Sequence, residues 1–259
     1  MTTSSGLTLS FAGLSARLQK GEIHIHLLRW KEGPEVLLPF LPLLASTEQS
    51  RYFRLGTPER RTEFLGSRLL VQGLLAGYGN ENGGELEWKR GEKGKPFVES
   101  SAPRFNLSHK GGLTACSLGW GEVGIDVEQT RRSGQVDWPL LSRRFFSPRE
   151  LDYLYSQPSS LRPIIFLKIF TRKEAVVKCS GEGLSFPLSG FTVPLPPEGT
   201  GRDGSLEYLT LMGEEGFCLS HVAWNPEHHP LRYRFYHWDE GILVGALEES
   251  RRGRLSPWK

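Results

Sequence analysis

The chain has 259 residues, 38% of them hydrophobic and 24% charged, with 32 basic against 29 acidic side chains for a formal net charge of +3. That length exceeds the roughly 100–200 residues of one ordinary domain, so it fits one large domain or two smaller ones, and the composition excludes a disordered chain. The charge is too balanced to indicate a nucleic-acid binder, and no apolar run approaches the ~20 residues that span a bilayer.

The first thirty residues lack a basic stretch followed by a long apolar run, because Arg17 and Lys20 interrupt the only candidate. The expectation is a cytoplasmic protein, neither exported nor membrane-bound. Cys116, Cys179 and Cys218 are odd in number and widely spaced, which suits buried free thiols in a reducing compartment.

Apolar periodicity predicts two helices over 46–78, the second carrying Phe64, Leu65, Leu69, Val71 and Leu74. Gly77 and Gly79 stop it, and 80–84 reads as a loop. Short extended pieces follow at 86–88, 96–98, 104–107 and 113–118. A domain seam is expected near Gly121, dividing the chain into 1–121 and 122–259.

Past the seam comes a strand over 123–127 and then a helix-rich segment over 138–180. From Phe191 onward, short apolar runs broken by Pro and Gly predict antiparallel strands and turns, with a frayed basic tail over 251–259. Phe105-Asn106-Leu107-Ser108-His109 weakly echoes Phe217-Cys218-Leu219-Ser220-His221, a faint sign of duplication.

Two segments carry chemistry. In Val123-Gly124-Ile125-Asp126-Val127-Glu128, residues two apart on a strand share a face, so Asp126 and Glu128 present paired carboxylates. A hard divalent cation such as Mg²⁺ would relieve their repulsion. A merely solvated acidic edge strand would look the same.

In Phe170-Thr171-Arg172-Lys173-Glu174-Ala175-Val176-Val177-Lys178, Glu174 and Lys178 lie four apart on one helical face. They suit either a surface ion pair or a metal ligand beside a phosphate-binding lysine. Gly-Ile-Asp-Val-Glu followed by Lys-Glu-Ala-x-x-Lys resembles the signature of the 4′-phosphopantetheinyl transferases, in particular the larger single-chain type that serves peptide and polyketide synthases.

The resemblance extends to Gly94-Lys95-Pro96, Phe105-Asn106-Leu107-Ser108-His109, Arg144-Phe145-Phe146-Ser147 with Glu150, and Gly181-Glu182-Gly183-Leu184, covering about 46–193. Phe170-Thr171 stands where many members have Trp-Ser.

The resemblance implies an α+β fold of two similar halves about a pseudo-twofold axis, with coenzyme A in the cleft between them. It also implies that Asp126, Glu128 and Glu174 hold Mg²⁺, for which Mn²⁺ could substitute, and that Glu174 is the base for the carrier serine. Lys178 would steady phosphate charge. Lys95, Ser108 and His109 would form the coenzyme A cradle, and Arg51, Arg61 and Arg68 are candidates for its 3′-phosphate.

The implied partner is an acyl or peptidyl carrier protein, docking on 129–135 and 140–146, and the implied state is a monomer. A Mg²⁺-dependent phosphohydrolase and a non-catalytic carrier-binding relative are the alternatives.

Overall fold

The computed structural model describes residues 11, 18–31, 33–79, 88–98, 103–130, 137–183 and 186–252. The expected loop at 80–84, most of the strand at 86–88, Leu184 and the tail from 253 lie outside the described residues. Two four-stranded sheets carry the fold, each backed on one side by helices.

The first sheet begins with β1 (Glu22–Arg29), which the sequence had not suggested. Short helix α1 (Ser46–Phe53) and long helix α2 (Pro58–Gly79) follow, close to the expected pair. Pro58 opens α2 at a position where its missing N–H costs nothing. A small ribbon pairs β2 (Trp88–Arg90) with β3 (Pro96–Val98).

β4 (Arg104–Lys110) and β5 (Leu113–Gly119) form a hairpin through Gly111 and Gly112, whose φ values of 54° and 82° suit the tight turn only glycine takes freely. β5 then pairs antiparallel with β1.

The second sheet repeats this plan. β6 (Val123–Gln129) is followed by α3 (Trp138–Phe145), α4 (Pro148–Ser156) and the long helix α5 (Arg162–Ser180). After α5 come β7 (Gly199–Asp203), β8 (Leu206–Met212) and β9 (Phe217–Trp224), with β9 antiparallel to β6. In both halves a strand, a long helix and a hairpin are laid out so that the hairpin's second strand pairs with the first strand.

The two halves are therefore alike in topology, as an α+β fold with internal pseudo-symmetry requires. The five-residue echo is not the trace of that repeat. It matches β4 with β9, whereas the topological counterpart of β9 is β5.

The end of the chain departs from the expected antiparallel run. β10 (Arg232–Trp238) crosses back and adds to β1 in parallel, and α6 (Glu240–Arg252), unexpected from the sequence, packs with it. Leu243, Ala246 and Leu247 of α6 join Leu65, Leu69 and Leu74 of α2 in one core. The buried hydroxyl of Tyr78 bridges His24 (2.6 Å) and His26 (3.1 Å), and Trp238 Nε1 donates to His26 Nδ1 at 3.0 Å. The Tyr78 bonds tie α2 to β1 and the Trp238 bond ties β10 to it, so the last strand and helix belong structurally with the start of the chain.

Strand alternation sorts the cores. Ile23 and Ile25 of β1 face Val123, Ile125 and Val127 of β6 in a layer between the sheets, while α5 closes the far side of the second sheet through Ile169, Ala175 and Val176. The three cysteines are buried free thiols, as expected.

β4 and β6 are edge strands of different sheets, and side chains splice them together. Asn106 Oδ1 accepts from the Ile125 amide at 2.9 Å, and Ser108 Oγ accepts from the Val127 amide at 3.3 Å. This covers two edges that would otherwise present unpaired amides. Among the described residues no helix is long and apolar enough to cross a membrane.

Candidate active site

The splice between β4 and β6 is where the site forms. Asp126, 5% exposed, points from β6 toward α5. Its Oδ1 accepts from Lys178 Nζ at 2.7 Å and from Ser108 Oγ at 2.9 Å. Lys178 also donates to Ser108 Oγ at 2.9 Å. Three elements from two halves thus meet at one oxygen.

Gly124 makes this approach possible. A methyl at that position would overlap the Ala175 carbonyl oxygen and the Cys179 amide, so only glycine lets α5 lie this close to β6. The sequence carries this signal as a glycine inside a strand, but its reason is visible only in the packing.

α5 is fixed from its other side. Arg172, fully buried, donates to Thr210 Oγ1 (2.6 Å), the Pro194 carbonyl (2.8 Å) and the Gly199 carbonyl (3.0 Å). Lys173 is buried on Glu150, which also forms the capping box of α4 with Ser147. Gly181 ends the helix with φ 75°, the left-handed cap expected of a glycine. Glu150, Arg172 and Lys173 were visible as residues of the motifs, but their supporting roles were not.

Glu174 sits half-buried on the seam face of α5. Burial raises its carboxyl above the ordinary range, the nearby charges of Asp126 and Glu128 raise it further, and Lys178 opposes them. Glu128 is paired with Lys110 at 2.7 Å.

Among the described residues no three acidic, histidine or cysteine side chains converge as a ready metal cluster, since Lys178 and Lys110 engage two of the three carboxylates. The donor set still suits a hard divalent cation. Asp126 Oδ2 is buried without a hydrogen-bond partner, an oxygen ligand left open on the side chain that lies near Glu174.

His109 follows Ser108 on β4 and points to the other face of the strand, where it is part-covered. Desolvation holds its imidazole below the usual value, Glu63 opposes this, and Lys178, Arg68 and Lys110 reinforce it. Arg68 of α2 therefore lies on the site side. Arg68 and Arg51 share the Phe64 ring at 5.1 and 5.3 Å, and Arg68 Nε also donates to Glu48 at 2.6 Å. Arg61 turns elsewhere, donating to the Leu55 carbonyl at 3.0 Å over the Tyr52 ring.

Lys95 lies on a cleft of about 280 Å³ lined also by Phe97, Arg104, Phe105, Glu122 and Gly181. Its ammonium donates to Glu122 Oε2 (2.7 Å), the Cys179 carbonyl (2.8 Å) and the Val123 carbonyl (3.3 Å). Arg104 also reaches Glu122, at 3.3 Å. This carboxylate between two cations was not singled out from the sequence.

A buried carboxylate, a second carboxyl held toward its protonated form and a lysine meet at the seam of two like halves, a mixed-charge cluster whose oxygens suit a hard cation. The family model described as the 4′-phosphopantetheinyl transferase superfamily matches residues 122–234, from β6 into β10. The 4′-phosphopantetheinyl transferase HetI of Nostoc sp. is 32% identical over 186 residues, covering 70% of this chain and 77% of that protein.

Sfp of Bacillus subtilis is 26% identical over 170 residues, covering 60% of this chain and 74% of that protein, and AcpT of Salmonella typhimurium is 36% identical over 154 residues, covering 59% and 75%. The chain belongs to the 4′-phosphopantetheinyl transferase superfamily.

Proposed function

We propose that this chain transfers 4′-phosphopantetheine from coenzyme A to a serine hydroxyl of an acyl or peptidyl carrier protein, releasing adenosine 3′,5′-bisphosphate. The observation that carries this reading is the meeting of Asp126, Ser108 and Lys178 beside Glu174 at the seam between the halves. Asp126, Glu174 and Lys178 belong to the signature, and Ser108 to the Phe-Asn-Leu-Ser-His segment to which the resemblance extends.

In this reading Glu174 takes the proton from the carrier serine, either directly or through a water. The serine oxygen attacks the β-phosphate, and the bond to the departing bisphosphate breaks. Lys178 turns its ammonium from Asp126 toward the phosphate oxygens as their charge shifts. No covalent enzyme intermediate is required.

Asp126, Glu128 and Glu174 would hold Mg²⁺, with Mn²⁺ able to substitute, and a bound cation would neutralise the pyrophosphate of coenzyme A. The first half, 1–121, is assigned the coenzyme A cradle, with Lys95, Ser108 and His109 lining it and Arg51 and Arg68 as candidates for the 3′-phosphate. The second half, 122–259, is assigned the carboxylates and Lys178. Arg61 is the weaker candidate because it is turned onto Leu55.

Helix α3 offers a carrier surface, with Leu140 59% exposed beside the exposed Arg143 and Arg144. The other expected carrier segment lies largely outside the described residues. A cytoplasmic monomer suits this role, because the repeated halves already supply one another's interface.

Intact mass of an apo carrier protein after incubation with this protein, coenzyme A and Mg²⁺ tests the assignment. A phosphopantetheine-sized gain, lost with chelator and in Asp126→Ala, is expected. Coenzyme A hydrolysed without carrier modification would establish the phosphohydrolase alternative. Carrier bound but never modified would establish the non-catalytic one.

A further inference from the structure

We propose that Trp238, His26, Tyr78, His24 and Glu22 form a one-way chain of hydrogen bonds that clasps the last strand and helix to the first sheet. The clasp closes only on a neutral His26, so mild acid releases β10 and α6 ahead of the rest of the fold. This is independent of the transferase reading.

The direction of the chain follows from what each group can donate. An indole N–H only donates, so the bond from Trp238 Nε1 to His26 Nδ1 at 3.0 Å makes Nδ1 an acceptor without a hydrogen. The neutral imidazole then carries its hydrogen on Nε2 and gives it to the Tyr78 oxygen at 3.1 Å. Tyr78 in turn donates to His24 Nδ1 at 2.6 Å, and His24 Nε2 donates to Glu22 Oε2 at 3.4 Å. Arg234 of β10 reaches the other oxygen of Glu22 at 3.0 Å. β10 is thus tied to β1 at two points, through an indole and through a guanidinium.

A proton on His26 Nδ1 would set one N–H against another. The ring is fully buried, and the groups around it offer no counter-charge. Tyr236 of β10 stacks on it with centroids 4.6 Å apart, α2 supplies the Tyr78 hydroxyl, and His24 lies beside it on β1. Opposite it on β5 is the buried thiol of Cys116, which burial pushes up and so keeps protonated. Glu22, the carboxylate of the chain, lies beyond His24 and is engaged by Arg234. Burial, reinforced by His24, accordingly holds the His26 imidazole well below its usual value.

β10 is the edge of its sheet, in the order β10-β1-β5-β4, so it can leave without breaking any other pairing, and α6 follows it directly. A released His26 takes a proton below the ordinary value of 6.5, whereas the clasped one does not. The clasp is therefore complete above that value and weakens as pH falls through it. On the other face of β10, Tyr233 lies edge-on to His221, whose imidazole burial pushes down to about 3, so the test separates the two histidines.

Imidazole nitrogen resonances of the unaltered protein read the tautomers, and hydrogen exchange by mass spectrometry, expressed as protection factors, reads release. At pH 7.5 both His24 and His26 should carry hydrogen on Nε2. Peptides of β10 and α6 should lose about tenfold in protection between pH 7.5 and 5.5, while those of α5 keep theirs. In His26→Gln, whose amide takes no proton, that loss should shrink to under about threefold.

His26 carrying hydrogen on Nδ1 at pH 7.5 would overturn the proposal even if no variant folds. So would protection lost equally in α5 and β10, which would make the acid effect global. An undiminished loss in His26→Gln would assign the acid response to another group, His221 first, and would overturn it too.

Discussion

Lys173 and Glu150 form an ion pair at 2.7 Å with both side chains fully buried. The pair is well satisfied, since Glu150 also accepts from the Ser147 and Val193 amides at 2.8 Å each, and Lys173 donates to the Phe191 carbonyl at 2.6 Å. Lys173 is the neighbour of Glu174, but a helix turns about 100° per residue, so one faces the interior and the other the seam. The pair thus locks the rotation of α5 that aims Glu174.

Removing one partner strands the other charge in the core. Lys173→Met should cost about 3–5 kcal/mol, and adding Glu150→Leu should recover part of it. Denaturant unfolding of both variants checks this, and a loss no larger than that of a surface change would remove the pair from the account of α5.

Gly124→Ala should be damaging although it adds one methyl. The methyl has no room against the Ala175 carbonyl and the Cys179 amide, both backbone groups that cannot rotate away. Overpacking of this kind costs about 1–3 kcal/mol, and here it also pushes α5 from β6, separating Lys178 from Asp126. The expected result is a lower melting temperature with a kcat that falls by more than the melting shift explains.

Glu174 should make the chelated protein sensitive to pH. Its carboxyl is raised in the folded state by burial, by Asp126 and by Glu128, so folding holds that proton more tightly than the unfolded chain does. The favourable contribution is complete below the ordinary value of 4.5 and is lost as pH rises through the folded value. Glu174→Gln should therefore stabilise the chelated protein at neutral pH, with the gain vanishing in acid. Melting curves across pH in chelator are the check, and a variant less stable at neutral pH would contradict the cause given.

Arg143 belongs to the exposed face of α3, next to the exposed Leu140. Carrier helices are typically acidic around the modified serine, so Arg143→Glu should raise the KM for carrier while leaving kcat and the KM for coenzyme A near their original values. Unchanged carrier kinetics would move the docking surface elsewhere.

The signature pairs were legible in the chain because each is local. Strand period places Asp126 with Glu128, and helix period places Glu174 with Lys178. Helices α2 and α5 were legible for the same reason, and Pro58 and Gly181 mark their ends. Strand β1 was missed although Ile23, His24, Ile25, His26 and Leu27 alternate apolar and polar in strand period, and α6 because Gly241 and Gly245 interrupt its short apolar stretch.

The local sequence also carried the types of residue in the site and, through the resemblance of its motifs, the family to which the chain belongs. Tertiary structure alone decided that β10 returns to β1, and that Ser108 meets Asp126, 18 residues away in the chain. It also decided that Glu150 and Lys173 brace α5. These depend on which strand edges meet and which side chains fill the space between sheets, and burial and hydrogen-bond satisfaction across distant segments settle that only when the chain is folded.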